Sequence, residues 1–151
     1  MKVKLGDLLL GAKALNEFVD SADLDTGEHV KLDWRLGHNA RKSAVEVRAF
    51  EEKRSKIQDK HVRKDKDGNP VPVTEEATDP DGNAVKRVVE GQVYIDNPLD
   101  LNKSIVELLE TVTQVDIHLI PLEWFEGTSG AKGARARLFR DGHFYITEDS
   151  E

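Results

Sequence analysis

The residues best equipped for chemistry are carboxylates grouped around glycine. The string DxDGNxV begins at Asp65 and again at Asp79, within "DKDGNPVPVTEEATDPDGNAVKRV". Calcium loops of the EF-hand type also set acids ahead of a glycine, and close on a bidentate glutamate at the end of the loop. Placing Gly68 at the glycine position puts Arg63 first and Thr74 last; placing Gly82 there puts Ala77 first and Val88 last. Both registers lack the two outer ligands. Asp-Gly does supply the positive φ that a hairpin turn demands, and the flanks "PVPVT" and "AVKRVVEGQVYI" are β-branched and partly alternating. Two two-residue turns bounding a β-arm are therefore predicted, with Asp67 and Asp81 the positions at which weak ion binding would show.

The remaining candidates resolve in the same direction. His29, His38, His61, His118 and His143 are scattered, without HExxH or another tight metal spacing, and read as surface or packing residues. Glu51-Glu52 and Glu75-Glu76 are adjacent pairs, whereas acid–base catalysis needs carboxylates that converge across a cleft. "EGTSGAKGA", residues 126–134, has the glycines of a phosphate loop, but Lys132 precedes Gly133 and no hydroxyl follows, so a linker is predicted. There is no cysteine and no GxSxG. The sequence thus assigns no catalytic residue, no cofactor and no metal ligand, and the expectation is a protein that is not an enzyme.

The elements that must position anything functional are drawn from 151 residues, the size of a single domain. Hydrophobic content is 38% and charged content 34%, so the core should be thin. Absence of cysteine removes disulfide and zinc–thiolate frameworks and suits a reducing cytoplasm. The apolar run Leu8–Leu10 is too short for a signal sequence, and no stretch reaches the roughly 20 apolar residues of a membrane span. A soluble protein without membrane contact is expected. The net charge of −7 disfavours general nucleic-acid binding, although residues 33–67 carry 11 Lys/Arg against 7 Asp/Glu while residues 68–131 carry 3 against 12.

Leu5, Leu8, Leu9, Ala12, Leu15 and Phe18/Val19 recur at helical spacing, and a short extended piece is predicted at "EHVKL". From Trp34 to about Lys64, the positions Leu36, Ala40, Ser43, Val47, Phe50, Arg54, Ile57 and His61 alternate by four and three, the period of a coiled-coil seam. Such a seam serves either packing within the chain, the favoured use, or a symmetric intermolecular coiled coil, and in both Val47, Phe50 and Ile57 should be buried. Along this helix Glu51, Glu52 and Asp59 interrupt the basic residues, so a mixed-charge face is preferred over a phosphate-binding one. Asn97-Pro98 then opens a helix with the apolar stripe Leu101, Ile105, Leu108, Leu109 and Val112. "VDIHLIP" alternates Val115, Ile117 and Leu119 against Asp116, His118 and Ile120, predicting a half-buried strand ended by Pro121. Beyond the linker, Asp141-Gly142 between short apolar runs predicts a C-terminal hairpin or tail, bearing a basic-aromatic patch of Arg135, Arg137, Phe139, Arg140, His143, Phe144 and Tyr145.

The order "LGDLLLGAKALNEFV", then "EEKRSKIQDKHVRKDKDGNPV", then "LDLNKSIVELLETVTQVDIHLIPLEWFE" resembles a group of small tailed-bacteriophage proteins of uncharacterised activity, over residues 5–126. In that group a short leucine-rich helix and a long charged helix ending in a D-G turn precede an "ELLE" helix and its strand. The arm between Asp65 and Asn97 is expanded relative to them, and residues 127–151 have no counterpart. The resemblance implies a phage setting, in the host bacterial cytoplasm or the virion, and transfers no functional residue.

The expectation is an α+β fold. Residues 1–126 form one domain with a β-arm at 65–97, and residues 127–151 a linker and hairpin or tail. The long helix packs on the first and third helices, and the arm joins strand 115–120 in one antiparallel sheet. The predicted function is contact with a protein partner, a phage structural protein, a host factor or a second copy. It runs through the seam (Val47, Phe50, Arg54, Ile57) and the tail (Arg135, Arg137, Phe139, Arg140, Phe144, Tyr145). The alternative is a nucleic-acid-linked regulator using the basic helix or the tail patch.

Overall fold

A computed structural model describes residues 1–24 and 27–150 of the chain. The fold is α+β. In chain order the elements are β1 (Lys2–Lys4), α1 (Leu5–Ser21), α2 (Val30–His61), β2 (Pro72–Thr78), β3 (Ala84–Val93), α3 (Pro98–Leu109), β4 (Val112–Gln114), β5 (Ile120–Pro121), α4 (Ala134–Asp141) and β6 (Ile146–Thr147). Single 3-10 turns at Gly27–His29, Leu122–Phe125 and His143–Tyr145 complete them. Two compact units emerge, residues 1–52 with 107–151, and residues 53–106.

The first unit contains the core. On α1 the predicted stripe is inward, with Leu5, Leu8, Ala12, Leu15 and Phe18 buried. α2 begins at Val30, so "EHVKL" is a 3-10 turn running into helix and not an extended piece. Its Leu32 and Leu36 join Leu15, Phe18, Leu24, Ile120, Phe125, Ala134, Leu138 and Tyr145 in one apolar cluster. Burying side chains of this size contributes about 1.5–3 kcal/mol each, which makes this cluster the main stabilising feature.

The C-terminal segment departs most from expectation. In place of a hairpin or tail, Ala134–Asp141 is a helix that packs on α1, with Ala134, Leu138 and Tyr145 fully buried. Gly142 caps this helix and its N–H donates to Leu138 O, so Asp141-Gly142 ends a helix instead of turning a hairpin. The α1 side accommodates it through Gly11, where a β-carbon would sit 2.5 Å from the Phe144 ring. Glu17 of α1 accepts a 2.9 Å ion-pair hydrogen bond from Arg137. The Gly-rich stretch before α4 belongs to the same body: Thr128 is buried and donates to Phe125 O, and a β-carbon on Gly130 would meet Ser21 Oγ at 2.9 Å.

Val115 exchanges backbone hydrogen bonds with Met1, and residues 116–119 beyond it join no ladder. β4 pairs antiparallel with β1, in the register Lys2↔Gln114 and Lys4↔Val112, and β5 pairs parallel with β6. The predicted sheet uniting the arm with strand 115–120 therefore does not form; β2 and β3 pair only with each other. The predicted alternation also breaks, since Ile120 is buried with Val115, while Leu119 is exposed. An extended backbone still needs hydrogen-bond partners. Here α2 side chains supply them: Asn39 Nδ2 donates to His118 O and Asn39 Oδ1 accepts from His118 N, both at 2.9 Å. Arg35 donates to Leu119 O and His38 Nε2 to Asp116 O.

The second unit is built on local chemistry. Each DxDGN copy makes the same turn: Gly68 N donates to Asp65 O and Asp65 N to Asn69 O, and Gly82 N donates to Asp79 O and Asp79 N to Asn83 O. Gly68 and Gly82 carry the positive φ values, 80° and 81°. These are three-residue loops of the type I plus G1-bulge kind, one residue longer than predicted. The reason is the opening aspartate, whose Oδ1 accepts two further amides, Asp67 and Asn69 at Asp65, Asp81 and Asn83 at Asp79. The second turn joins β2 to β3 in the register Thr78↔Ala84, Ala77↔Val85 and Thr74↔Val88, with an irregularity between Pro72 and Thr74. Arg63 closes the base of the arm, with an ion pair to Asp96 at 2.9 Å and its guanidinium 5.2 Å from the Tyr94 ring centroid. No residue from 53 to 106 is buried.

Candidate functional site

In the first unit, α2 and the extended segment 115–119 bring together residues nearly eighty positions apart. Trp34, His38 and Lys42 are spaced by four on one side of α2. Asp116 and His118 are two apart, and in extended chain that spacing sends both side chains the same way. The His38 and His118 rings stack with centroids 3.9 Å apart, and Trp34 lies 5.7 Å from the first and 5.6 Å from the second. Asp116 Oδ2 sits 3.8 Å from His38 Nε2 and 3.6 Å from Lys42 Nζ. Side-chain donor atoms of His38, Asp116 and His118 all lie within 4.8 Å of one another. His38 is 14% exposed at its side chain and Asp116 is 67% exposed, so the cluster has a packed floor and an open side.

Beneath the cluster, Asn39 and Ser43 are both fully buried on α2. Asn39 clamps the His118 backbone, and Ser43 Oγ meets Tyr145 Oη at 2.7 Å. Burial pushes the Tyr145 phenol up to about 12, against a smaller lowering by Ser43. The Asn39 bonds hold α2 in register with segment 115–119, and the Ser43 contact ties it to the turn at Tyr145. Arg35, one residue on from Trp34, lies 4.6 Å from the Trp124 ring centroid and Lys31 5.8 Å.

The structure distributes the predicted interface residues between interior and surface. Of the seam, Phe50 is buried, while Val47, Arg54 and Ile57 are half-buried. In the C-terminal group, Tyr145 is core, Phe139 packs edge-on to Phe125 at 5.1 Å, and Phe144 packs beside Tyr145 at 4.3 Å. The arginines are engaged within the unit: Arg135 with the Phe125 and Thr128 carbonyls, Arg137 with Glu17, Arg140 with Asp141. Arg140 holds the Asp141 carboxyl below its ordinary range, and Asp141 in turn raises the guanidinium. His61 Nδ1 and His143 Nδ1 each donate to a nearby carbonyl, Ile57 and Arg140, and stand outside the histidine cluster.

Sequence reasoning missed the meeting of His38 with His118. A local signal existed in the D-x-H spacing on the polar side of "VDIHLIP" and the i, i+4 series Trp34, His38, Lys42. Nothing local joins the two. Comparison with known proteins finds no matching family model, no matching curated protein and no matching solved structure. Among the described residues no helix is long and apolar enough to cross a membrane.

Proposed function

We propose that the chain acts by binding another protein and not by catalysis, with the β2–β3 hairpin as its contact element. One observation carries this reading: residues 53–106 adopt ordered helix ends, turns and a hairpin, yet bury no side chain. A two-stranded hairpin is marginal in water by itself, and a third strand or a packed face is what stabilises it. Val85, Val88 and Val93 are exposed, Val85 and Val88 on opposite faces of the hairpin. Pro70 and Pro72 blunt the β2 edge, whereas β3 runs ten residues with no proline. That leaves β3 as the edge on which a partner strand can add.

Charge supports a protein partner over nucleic acid. The unit carries 10 Lys/Arg against 10 Asp/Glu, with no basic excess to neutralise phosphate. The resemblance to tailed-phage proteins supplies the setting: a virion or assembly component, or a binder of a host factor, in the bacterial cytoplasm or the virion. Affinity purification of the intact chain from infected cells, beside a Val85→Asp/Val88→Asp double variant, tests this. The expected result is one protein recovered in fixed ratio with the native chain and lost with the variant, at unchanged melting temperature. Equal recovery with both chains removes the arm as the contact. Steep salt-dependent retention of nucleic acid in filter binding transfers the function to a nucleic-acid-linked regulator.

A further inference from the structure

We propose that His38, Asp116 and His118 form a binding site for a divalent first-row transition ion of the zinc type, independent of the arm and its partner. Two imidazoles and one carboxylate are a donor set that zinc accepts in sites with a remaining open position. Three side chains from two separate segments present donor atoms within 4.8 Å of one another. Donors around a tetrahedral zinc stand roughly 3.3 Å apart, given bonds of about 2.0–2.1 Å. The required contraction is therefore small.

The chemistry of each ligand specifies how it would engage. His38 Nε2 donates to the Asp116 carbonyl at 3.3 Å, so on binding an ion replaces that proton and the carbonyl returns to solvent. The rings stack with centroids 3.9 Å apart, so convergence of their nitrogens on one ion requires rotation about the side-chain bonds. The backbone beneath is already fixed, because Asn39 holds both the N–H and the C=O of His118. Such outer contacts orient ligands without touching the ion. Asp116 is the exposed ligand, and an ion displaces Lys42 from the Oδ2 atom it now faces at 3.6 Å. Trp34 stays within about one ring's breadth of both imidazoles, which makes its fluorescence a reporter of occupancy by a quenching ion such as Co²⁺.

The test is isothermal titration of the full chain with Zn²⁺ after chelator treatment, together with Co²⁺ quenching of tryptophan emission. The native chain is expected to bind one equivalent and to melt several degrees higher with zinc present. His38→Gln, Asp116→Asn and His118→Gln are each expected to weaken binding by at least about tenfold. His61→Gln and His143→Gln are expected to leave it unchanged. Circular dichroism without metal reports folding of each variant; should either histidine variant unfold, Asp116→Asn on the exposed side decides. Absence of saturable binding, or equal weakening by the two distant histidine variants, overturns the proposal.

Discussion

Two regions of one chain solve the problem of order differently. Among the described residues, 1–52 with 107–151 hold every buried apolar side chain, from Leu5 to Tyr145, and draw them from helices, turns and extended segments that meet across long stretches of sequence. Residues 53–106 bury none and rely on parts of α2 and α3, turns, ion pairs and a hairpin ladder. The difference teaches where each kind of function belongs. A packed unit can hold donor atoms at fixed separations, as at His38 and His118, whereas an unburied hairpin offers backbone edge and apolar surface to a partner.

The sharpest way to break the contrast is to cut the core. Phe18→Ala removes a fully buried ring from the central cluster and should cost about 3–5 kcal/mol in urea unfolding. Alkaline pH probes the same cluster. Because the Tyr145 phenol is raised from 10.0 to about 12, its protonated form is favoured by folding, and that stabilisation is complete below pH 10. Between pH 10 and 12 the unfolded chain loses the proton first, so stability should fall by up to about 3 kcal/mol. Tyr145→Phe should abolish this slope.

Asn39→Ala leaves the His118 amide and carbonyl without their helix partners, and an expected loss of about 1–3 kcal/mol follows from two part-buried groups left unmatched. Segment 115–119 should then exchange its amides faster while α1 does not. In the arm, Asp79→Ala removes the acceptor of the Asp81 and Asn83 amides and should cost about 1 kcal/mol, confined to the hairpin and visible in the chemical shifts of β2 and β3. Smallest of all, Val88→Ala should stay within about 0.5 kcal/mol, since the side chain is 57% exposed.

The sequence was legible where the physics is local. α1 and α3 show their apolar stripes at helical spacing, and the Asp-Gly strings announce turns with positive φ at Gly68 and Gly82. It was opaque where a distant partner decides. α4 is eight residues between glycines, with its inward Ala134 and Leu138 set among arginines, so composition reads as a tail until α1 is placed beside it. Segment 115–119 alternates like a strand, but beyond Val115, which pairs with Met1, its hydrogen-bond partners are side chains of Arg35, His38 and Asn39, which no period in "VDIHLIP" encodes. The same distance hides the histidine cluster. His38 and His118 each look solitary along the chain, and it is contacts between α2 and segment 115–119, the Asn39 clamp among them, that set them face to face.

The central claim, that stability resides in the first unit while the arm waits for a partner, is tested most directly by residue-resolved native-state hydrogen exchange on the isolated chain. Amides of β2 and β3 should exchange through local openings at a small fraction of the free energy that protects α1 and α4. Protection of the hairpin equal to that of α1 would contradict it.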